Sequence, residues 1–269
     1  MGNKVGIFVD AVNVTMNGGY GLRYDVLRRF ACRQGCRPSR MNVYLAFDSR
    51  RAEEDPNYKE KTNRFGKVLR DFEYKVLVKP VQYYEDSESD ELIIKSTVDM
   101  DMAVDMLEQG EALDSIIFCT NNGSFVSVVK ALQRKGTRVT LVGFEDMPEA
   151  LRNEVDCFMP GYLIPGLLPI ESPYKWGEVG SRVRGLCYDF SHEDGYGFIR
   201  YLKTINENIW ITDSRLERSP YKTVFAHISQ FEPNFDTSYL PSRDLIFELD
   251  LVKNEKGLFA ENIKLVSPS

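Results

Sequence analysis

Over the first 160 residues, short apolar runs alternate with amphipathic helical stretches, and this rhythm leaves few folds open. The runs are VGIFVD (5–10), MNVYLAF (41–47), YKVLVKP (74–80), SIIFCT (115–120) and RVTLVGF (138–144). They are continuous rather than alternating, so both faces of each strand must be covered. Helical patterns lie between them near 22–34, 57–71, 97–109, 124–135 and 147–153. Such repetition predicts an α/β unit on a doubly wound, mainly parallel sheet.

The character changes after residue 160. The stretch PGYLIPGLLPIESPYKWGEVG is too rich in Pro and Gly to continue a helix and reads as a linker. Beyond it come VRGLCYDF, YGFIRYL, NIWITD, KTVFAHI, DLIFELDLV and FAENIKLV. These predict a small all-β unit of about five strands, the size of a Greek-key barrel. The expected division is therefore 1–160, a linker over 161–180, and an all-β domain over 181–269.

Charge limits the partners. A net charge of −6 and an isoelectric point near 5.2 argue against bulk electrostatic capture of DNA. RNA binding through a local patch or stacked bases stays open. No apolar run approaches the ~20 residues that span a bilayer, and the first residues lack a signal peptide's pattern. Gly2 is discounted as a myristoylation site because the first strand begins almost at once. The five cysteines are an odd, scattered set, as expected of reduced thiols in the cytoplasm. With only His192 and His227 beside them, zinc is not expected.

Two acidic positions stand out. Asp10 ends the first strand, at the carboxyl edge where ligands of open α/β sheets gather, and Asn13 follows three residues on. An Asx turn or helix cap explains the pair equally well. In KSTVDMDMAVDM, a helical wheel puts Val98, Met102, Ala103, Met106 and Leu107 on one face with Asp99 in its middle. Asp101, Asp105 and Glu108 fall opposite, toward solvent. A core-facing carboxylate must cap, pair or bind a cation. The fourth run ends in Thr120-Asn121-Asn122-Gly123-Ser124, at the same sheet edge but without any charge. Ser124 also suits the cap of the helix that follows.

FVDAVNV, KSTVDMDMAVDM and IIFCTNNGSFVSVVKALQRKGTRVTLVG together resemble the NYN domain, a branch of the PIN-like ribonuclease fold, over roughly residues 4 to 160. The resemblance implies a divalent-metal endoribonuclease using Mg2+ or Mn2+, with Asp10 and Asp99 as metal ligands. Asp10, Asn13 and Asp99 match the family pattern, Lys95 matches its helix-start Lys, and Asp105 its second helix Asp. Asn122 and Ser124 stand where the family carries two further aspartates. On this reading the site residues are Asp10, Asn13, Asp99, Asn122 and Ser124, with two negative charges missing. Arg50, Arg51 and Lys95 are candidate RNA contacts. Lys59, Lys61, Arg64 and Lys67 read as a solvated helix face.

In the second unit, EDGYGFI (193–199) and TVFAHI (223–228) place Tyr196, Phe198, Phe225 and His227 on alternating positions of neighbouring strands. Rings in a row suit splayed bases, although either piece alone reads equally as core. The pair, with VKNEKGLFAENIKLV, resembles a cold-shock domain, an OB-fold that binds single-stranded RNA or DNA. It departs from that family where a stacking Trp falls near Asp189 and a Lys becomes Asp194, while the longer connection over 200–223 carries Trp210. The sequence therefore leaves two functions open: a metal-dependent endoribonuclease with a depleted site, or a non-cleaving RNA-binding adaptor. Single-stranded RNA is the expected partner, with no membrane, and self-association is left open.

Overall fold

In a computed structural model, residues 3–85, 92–255 and 257–267 are described, with the backbone alone given for residues 85, 92–95 and 267. The chain divides into two compact units. One comprises Met1–Tyr20, Gly35–Gly143 and Met147–Phe158; the other comprises Gly21–Gln34, Phe144–Asp146 and Met159–Ser269.

The first part of the chain runs β1 (Lys4–Asp10), α1 (Ala11–Met16), α2 (Tyr24–Ala31), β2 (Arg37–Phe47), α3 (Ser49–Glu54), α4 (Pro56–Asp71), β3 (Lys75–Pro80), β4 (Gln82–Glu85), β5 (Leu92–Lys95), α5 (Val98–Gly110), β6 (Ser115–Cys119), α6 (Val126–Arg134), β7 (Arg138–Gly143), α7 (Glu149–Glu154) and β8 (Cys157–Pro160). Six strands form one sheet in the order β3-β2-β1-β6-β7-β8. β1 pairs in parallel with β2 and β6, and β2–β3 and β6–β7 are also parallel. The apolar runs are continuous because the strands are covered on both sides. Six of the seven residues of β1 are buried, as are five of six in β7. Phe8, Phe118 and Phe125 form the core with Val98, Met102 and Met106 of α5. The α/β expectation holds. The small antiparallel β4–β5 pair and β8 are additions that four-residue runs were too short to announce.

The helical wheel of α5 needs correction. Val98, Met102 and Met106 are buried as expected, but Met100 and Val104 take the solvent positions, 70% and 45% exposed. Asp105 does not face solvent; its carboxylate accepts a hydrogen bond from the Tyr44 hydroxyl at 2.7 Å and another from Gln109. The Tyr44 ring is fully buried, so its hydroxyl needs an acceptor, and it draws Asp105 inward.

The all-β unit is a closed barrel of β9 (Arg182–Ser191), β10 (Tyr196–Leu202), β11 (Tyr221–His227), β12 (Ile246–Asn254) and β13 (Gly257–Ser267). In chain order its strands close as first, second, third, fifth, fourth, with the third and fifth parallel, which is OB-fold-like. Phe190, Phe231, Phe235 and Phe247 pack edge-on and stacked at its centre. NIWITD is not a strand. Its residues form a turn and a loop, with Ile209 buried and Trp210 73% exposed. The Pro/Gly-rich stretch holds only a 3-10 turn at Gly161–Leu163, yet Tyr162, Leu163, Ile164, Leu167 and Leu168 are buried. All five cysteines are free thiols.

Gly197 sits where β9 crosses closest to β10. A Cβ there would lie 2.3 Å from the Asp189 carbonyl oxygen and 3.0 Å from the Phe190 Cα, both backbone atoms. We predict that Gly197→Ala destabilises the barrel by ~1–3 kcal/mol, read as a lower midpoint in urea unfolding. An unchanged midpoint would mean that the two strands part readily enough to admit a methyl group.

Candidate functional site

β1 and β6 are neighbours in register, Val9 beside Cys119, so Asp10 and the Thr120–Ser124 turn emerge side by side at one edge of the sheet. Asp10 caps α1, accepting the Asn13 backbone N–H at 3.0 Å. Asn13 accepts the Asn121 backbone N–H on its side-chain oxygen at 2.6 Å, and the Asn121 amide donates to the Asn17 side-chain oxygen at 3.2 Å. These bonds tie the turn after β6 to α1. Sequence reasoning singled out neither Asn17 nor Asn121. The spacing of Asn13 and Asn17, one helical turn apart, was the available signal.

Asp99, in the first turn of α5, lies near enough to Asp10 for its carboxylate to act on the Asp10 proton. Asp10 is only 5% exposed. Burial, aided by the neighbouring Asp99 carboxylate, pushes its pKa up from 3.8 to about 7, against the lowering effect of the Asn13 N–H. Asn122 completes the cluster. Its Nδ2 donates to Asp99 Oδ2 at 2.7 Å, while its Oδ1 accepts the Ser124 backbone N–H at 2.9 Å. The amide orientation follows from these partners: a backbone N–H requires the oxygen, so the NH2 group faces the carboxylate. Asn122, not Ser124, is the cap of the 3-10 turn Gly123–Phe125 that leads into α6. Ser124 is exposed.

The remaining candidates lie apart from this cluster's hydrogen bonds. Asp101 is engaged by Lys79 at 2.9 Å and by the Thr97 hydroxyl. Arg50 and Arg51 are exposed, with their guanidinium groups over the Tyr83 and Tyr58 rings at 4.0 and 4.6 Å. Asp48, which caps α3 at the end of β2, is held below the usual carboxylate range by the Tyr83 hydroxyl and the Arg51 N–H. Lys95 ends β5 opposite Gln82, and its side chain lies outside the described residues. Lys59, Lys61, Arg64 and Lys67 are exposed on α4.

On the barrel, strand alternation sends Gly197, Ile199, Val224 and Ala226 inward and Tyr196, Phe198, Phe225 and His227 outward. Tyr196 faces His227 and Phe198 faces Phe225 across β10 and β11. The Tyr196 and Phe225 rings lie 5.3 Å apart and tilted by 30°, and Phe198 stands edge-on to both at 6.2–6.3 Å. Phe225 is 38% exposed. Phe225 and His227 are exposed and Tyr196 and Phe198 half-buried, outside a barrel whose core is already full of phenylalanines. Asp189 lies beside Phe198 on β9.

A parallel α/β sheet with paired carboxyls at its carboxyl edge is the PIN-like class of fold. The NYN domain model matches residues 4–165, and the chain belongs to the NYN domain family. Comparison with curated proteins gives no match. Among solved structures, the chain is similar to a protein of unknown function from Vibrio parahaemolyticus, at 21% identity and a TM-score of 0.46, covering 59% of this chain and 92% of that one. No helix among the described residues is long and apolar enough to cross a membrane.

NYN and other PIN-like nucleases generally use divalent metals. The residues here do not fit a two-cation centre. Hard cations need oxygen lone pairs, and the third corner of the cluster presents the Asn122 N–H to Asp99 instead. Burial and the nearby Asp99 carboxylate raise the Asp10 pKa to about 7, which weakens it as an anionic ligand below neutrality. Among the described residues no three His, Cys, Asp or Glu side chains gather as a metal site.

The raised Asp10 pKa has a signed consequence. Between about pH 4 and about pH 7 the unfolded chain releases this proton while the folded chain keeps it, so Asp10 weakens folding as pH rises through that window. Above it the cost is constant. Asp10→Asn retains an oxygen for the Asn13 N–H and a donor for Asp99. We predict that it stabilises the protein by ~1–3 kcal/mol at pH 8 and by little at pH 4, measured by urea unfolding in both buffers. A variant less stable than the natural protein at pH 8 would contradict the assignment.

Proposed function

We propose that this NYN protein holds single-stranded RNA on the outer aromatic face of its barrel, and that its sheet-edge site, as written, binds metal feebly and does not cleave RNA. The observation that carries the reading is the 2.7 Å hydrogen bond from Asn122 Nδ2 to Asp99. It puts a donor where cation chemistry needs an acceptor, and it satisfies Asp99 without a metal. Asp10, Asn13, Asp99, Asn122 and Ser124 then form a hydrogen-bonded remnant of a nuclease centre. The runner-up, a working nuclease, is supported by the family alone.

The RNA half rests on Tyr196, Phe198, Phe225 and His227. Every base offers a stacking face, and each stacked base contributes ~1–3 kcal/mol. Single-stranded DNA offers the same faces. Arg50 and Arg51, pre-set on tyrosine rings, are proposed phosphate contacts, as is Lys95 by its position in the family pattern. The free thiols suit a reducing compartment, and we place the protein in the cytoplasm.

Two experiments test the two halves separately. Phe198→Ala should weaken binding of a labelled single-stranded RNA by more than about tenfold while leaving the fold intact; an unchanged titration removes the RNA reading. Asn122→Asp combined with Ser124→Asp should raise Mn2+ affinity in calorimetry, because the introduced carboxylates restore oxygen ligands beside Asp99. Strong, Asp10-dependent cleavage by the natural protein would overturn the non-cleaving reading. No gain in metal binding by the folded double variant would mean that the turn was never part of a cation site.

A further inference from the structure

Arg200 lies on the same outer face of the barrel, two residues beyond Phe198 on β10. Alternation therefore points it the same way as Tyr196 and Phe198, ~7 Å from Phe198 along the strand. Its guanidinium sits over the Tyr188 ring at 5.2 Å and the Tyr221 ring at 5.6 Å, and Nη1 donates to the Thr212 carbonyl oxygen at 3.2 Å. The Tyr188 hydroxyl reaches Thr223, the residue paired with Arg200 across β11. Tyr188 occupies the irregularity where β9 skips a residue against β10, between the partners of Phe198 and Ile199. That irregularity lets its ring stay on the outer face beside Arg200.

Three other arginines of the barrel domain are paired with carboxylates. Arg182 pairs with Asp250 at 2.9 Å, Arg184 with Glu248 at 2.9 Å, and Arg215 with Asp213 at 2.7 Å. Arg200 pairs with no carboxylate among the described residues, and one carbonyl bond leaves most of its five N–H donors unused. Among the outward residues Tyr196, Phe198, Arg200, Tyr221, Thr223, Phe225 and His227, it is the one arginine or lysine. A half-buried guanidinium fixed by two rings, uncompensated and beside a stacking surface, is pre-organised for an oxyanion.

We propose that Arg200, held in place by Tyr188 and Tyr221, binds a backbone phosphate of the single strand whose bases stack on Tyr196, Phe198 and Phe225. This inference rests on the single-strand reading given above and deepens it. A base stacked on Phe198 leaves its sugar–phosphate within reach of the next outward position of the same strand, which is Arg200. Tyr188 and Tyr221 are positioning residues, because they touch the guanidinium rather than the phosphate. The arrangement supplies on this face a positive charge, where Asp194 stands in place of the Lys of the resembled family.

The test is the salt dependence of binding, since a phosphate contact changes its slope and a stacking or structural contact does not. A fluorescently labelled oligouridine is titrated against the full-length protein at several KCl concentrations. For Arg200→Gln the expected result is weaker binding at low salt and a plot of log K against log[KCl] shallower by about 0.7, one phosphate on a single strand. Arg200→Lys should retain the natural slope. Phe198→Ala should bind more weakly at every salt concentration with the slope unchanged. A natural slope in a folded Arg200→Gln protein, with Phe198→Ala still impaired, would overturn this inference and leave the stacking face standing. Failure of the natural protein to bind the oligonucleotide at all would overturn both.

Discussion

A carboxyl group at the end of a strand buried on both faces has to be neutralised, and the sheet edge is organised around how Asp10 meets that demand. β1 is a central strand, with no solvent along its length after Lys4. Its last side chain cannot turn outward without giving up the cap on α1. Burial, with the neighbouring Asp99 carboxylate acting in the same direction, raises the Asp10 pKa to about 7, so the acid loses its proton only as pH passes neutrality. Asn122 then satisfies the Asp99 carboxylate with an N–H, and Asn13 and Asn121 lock the two strand ends to each other. The interactions at this edge are thus a buried acid, a neighbouring carboxylate and a set of side-chain amides.

That arrangement bears on the proposed loss of metal chemistry. A metal nuclease needs carboxylate oxygens with lone pairs turned toward the ion, whose charge they balance. Here Asp99 is hydrogen-bonded by the Asn122 amide, and the Asp10 pKa is raised to about 7. The oxygens that remain are committed: Asp10 to the Asn13 N–H, Asp99 to the Asn122 amide, Asn122 to the Ser124 N–H, and Asn13 to the Asn121 N–H. Such a network is what the non-cleaving reading proposed above requires of these residues.

The unbroken apolar runs located β1, β2, β3, β6 and β7, and the periodic stretches between them located the longer helices. Both signals come from burial, which a sequence records at every residue. Contacts made once, across long separations, leave no such record. Asp105 was expected in solvent because its own helix wheel says so; Tyr44, 61 residues earlier, holds it. NIWITD looked like a strand because its residues favour one, but a closed five-stranded barrel offers it no edge. Ser124 was expected to serve as a cap, and Asn122 takes the role two residues earlier. Tyr188 and Arg200 carried no motif at all, and only the skipped residue between β9 and β10 brings their side chains together.

The barrel's acidity argues for how it would choose a ligand. A surface with Asp189 beside Phe198 and Asp194 in the β9–β10 turn repels a polyanion at long range, so charge attraction cannot do the selecting. What the face offers at close range is flat ring area with one oriented guanidinium. A duplex already stacks its bases on one another and presents phosphates, which is what this face disfavours. A single strand presents unstacked bases and can arrange its phosphates around one cation. On the proposed single-strand reading, the rings would supply the binding and the acidic side chains would keep long-range attraction of a polyanion low. The two are separable because they occupy different residues of the same strands.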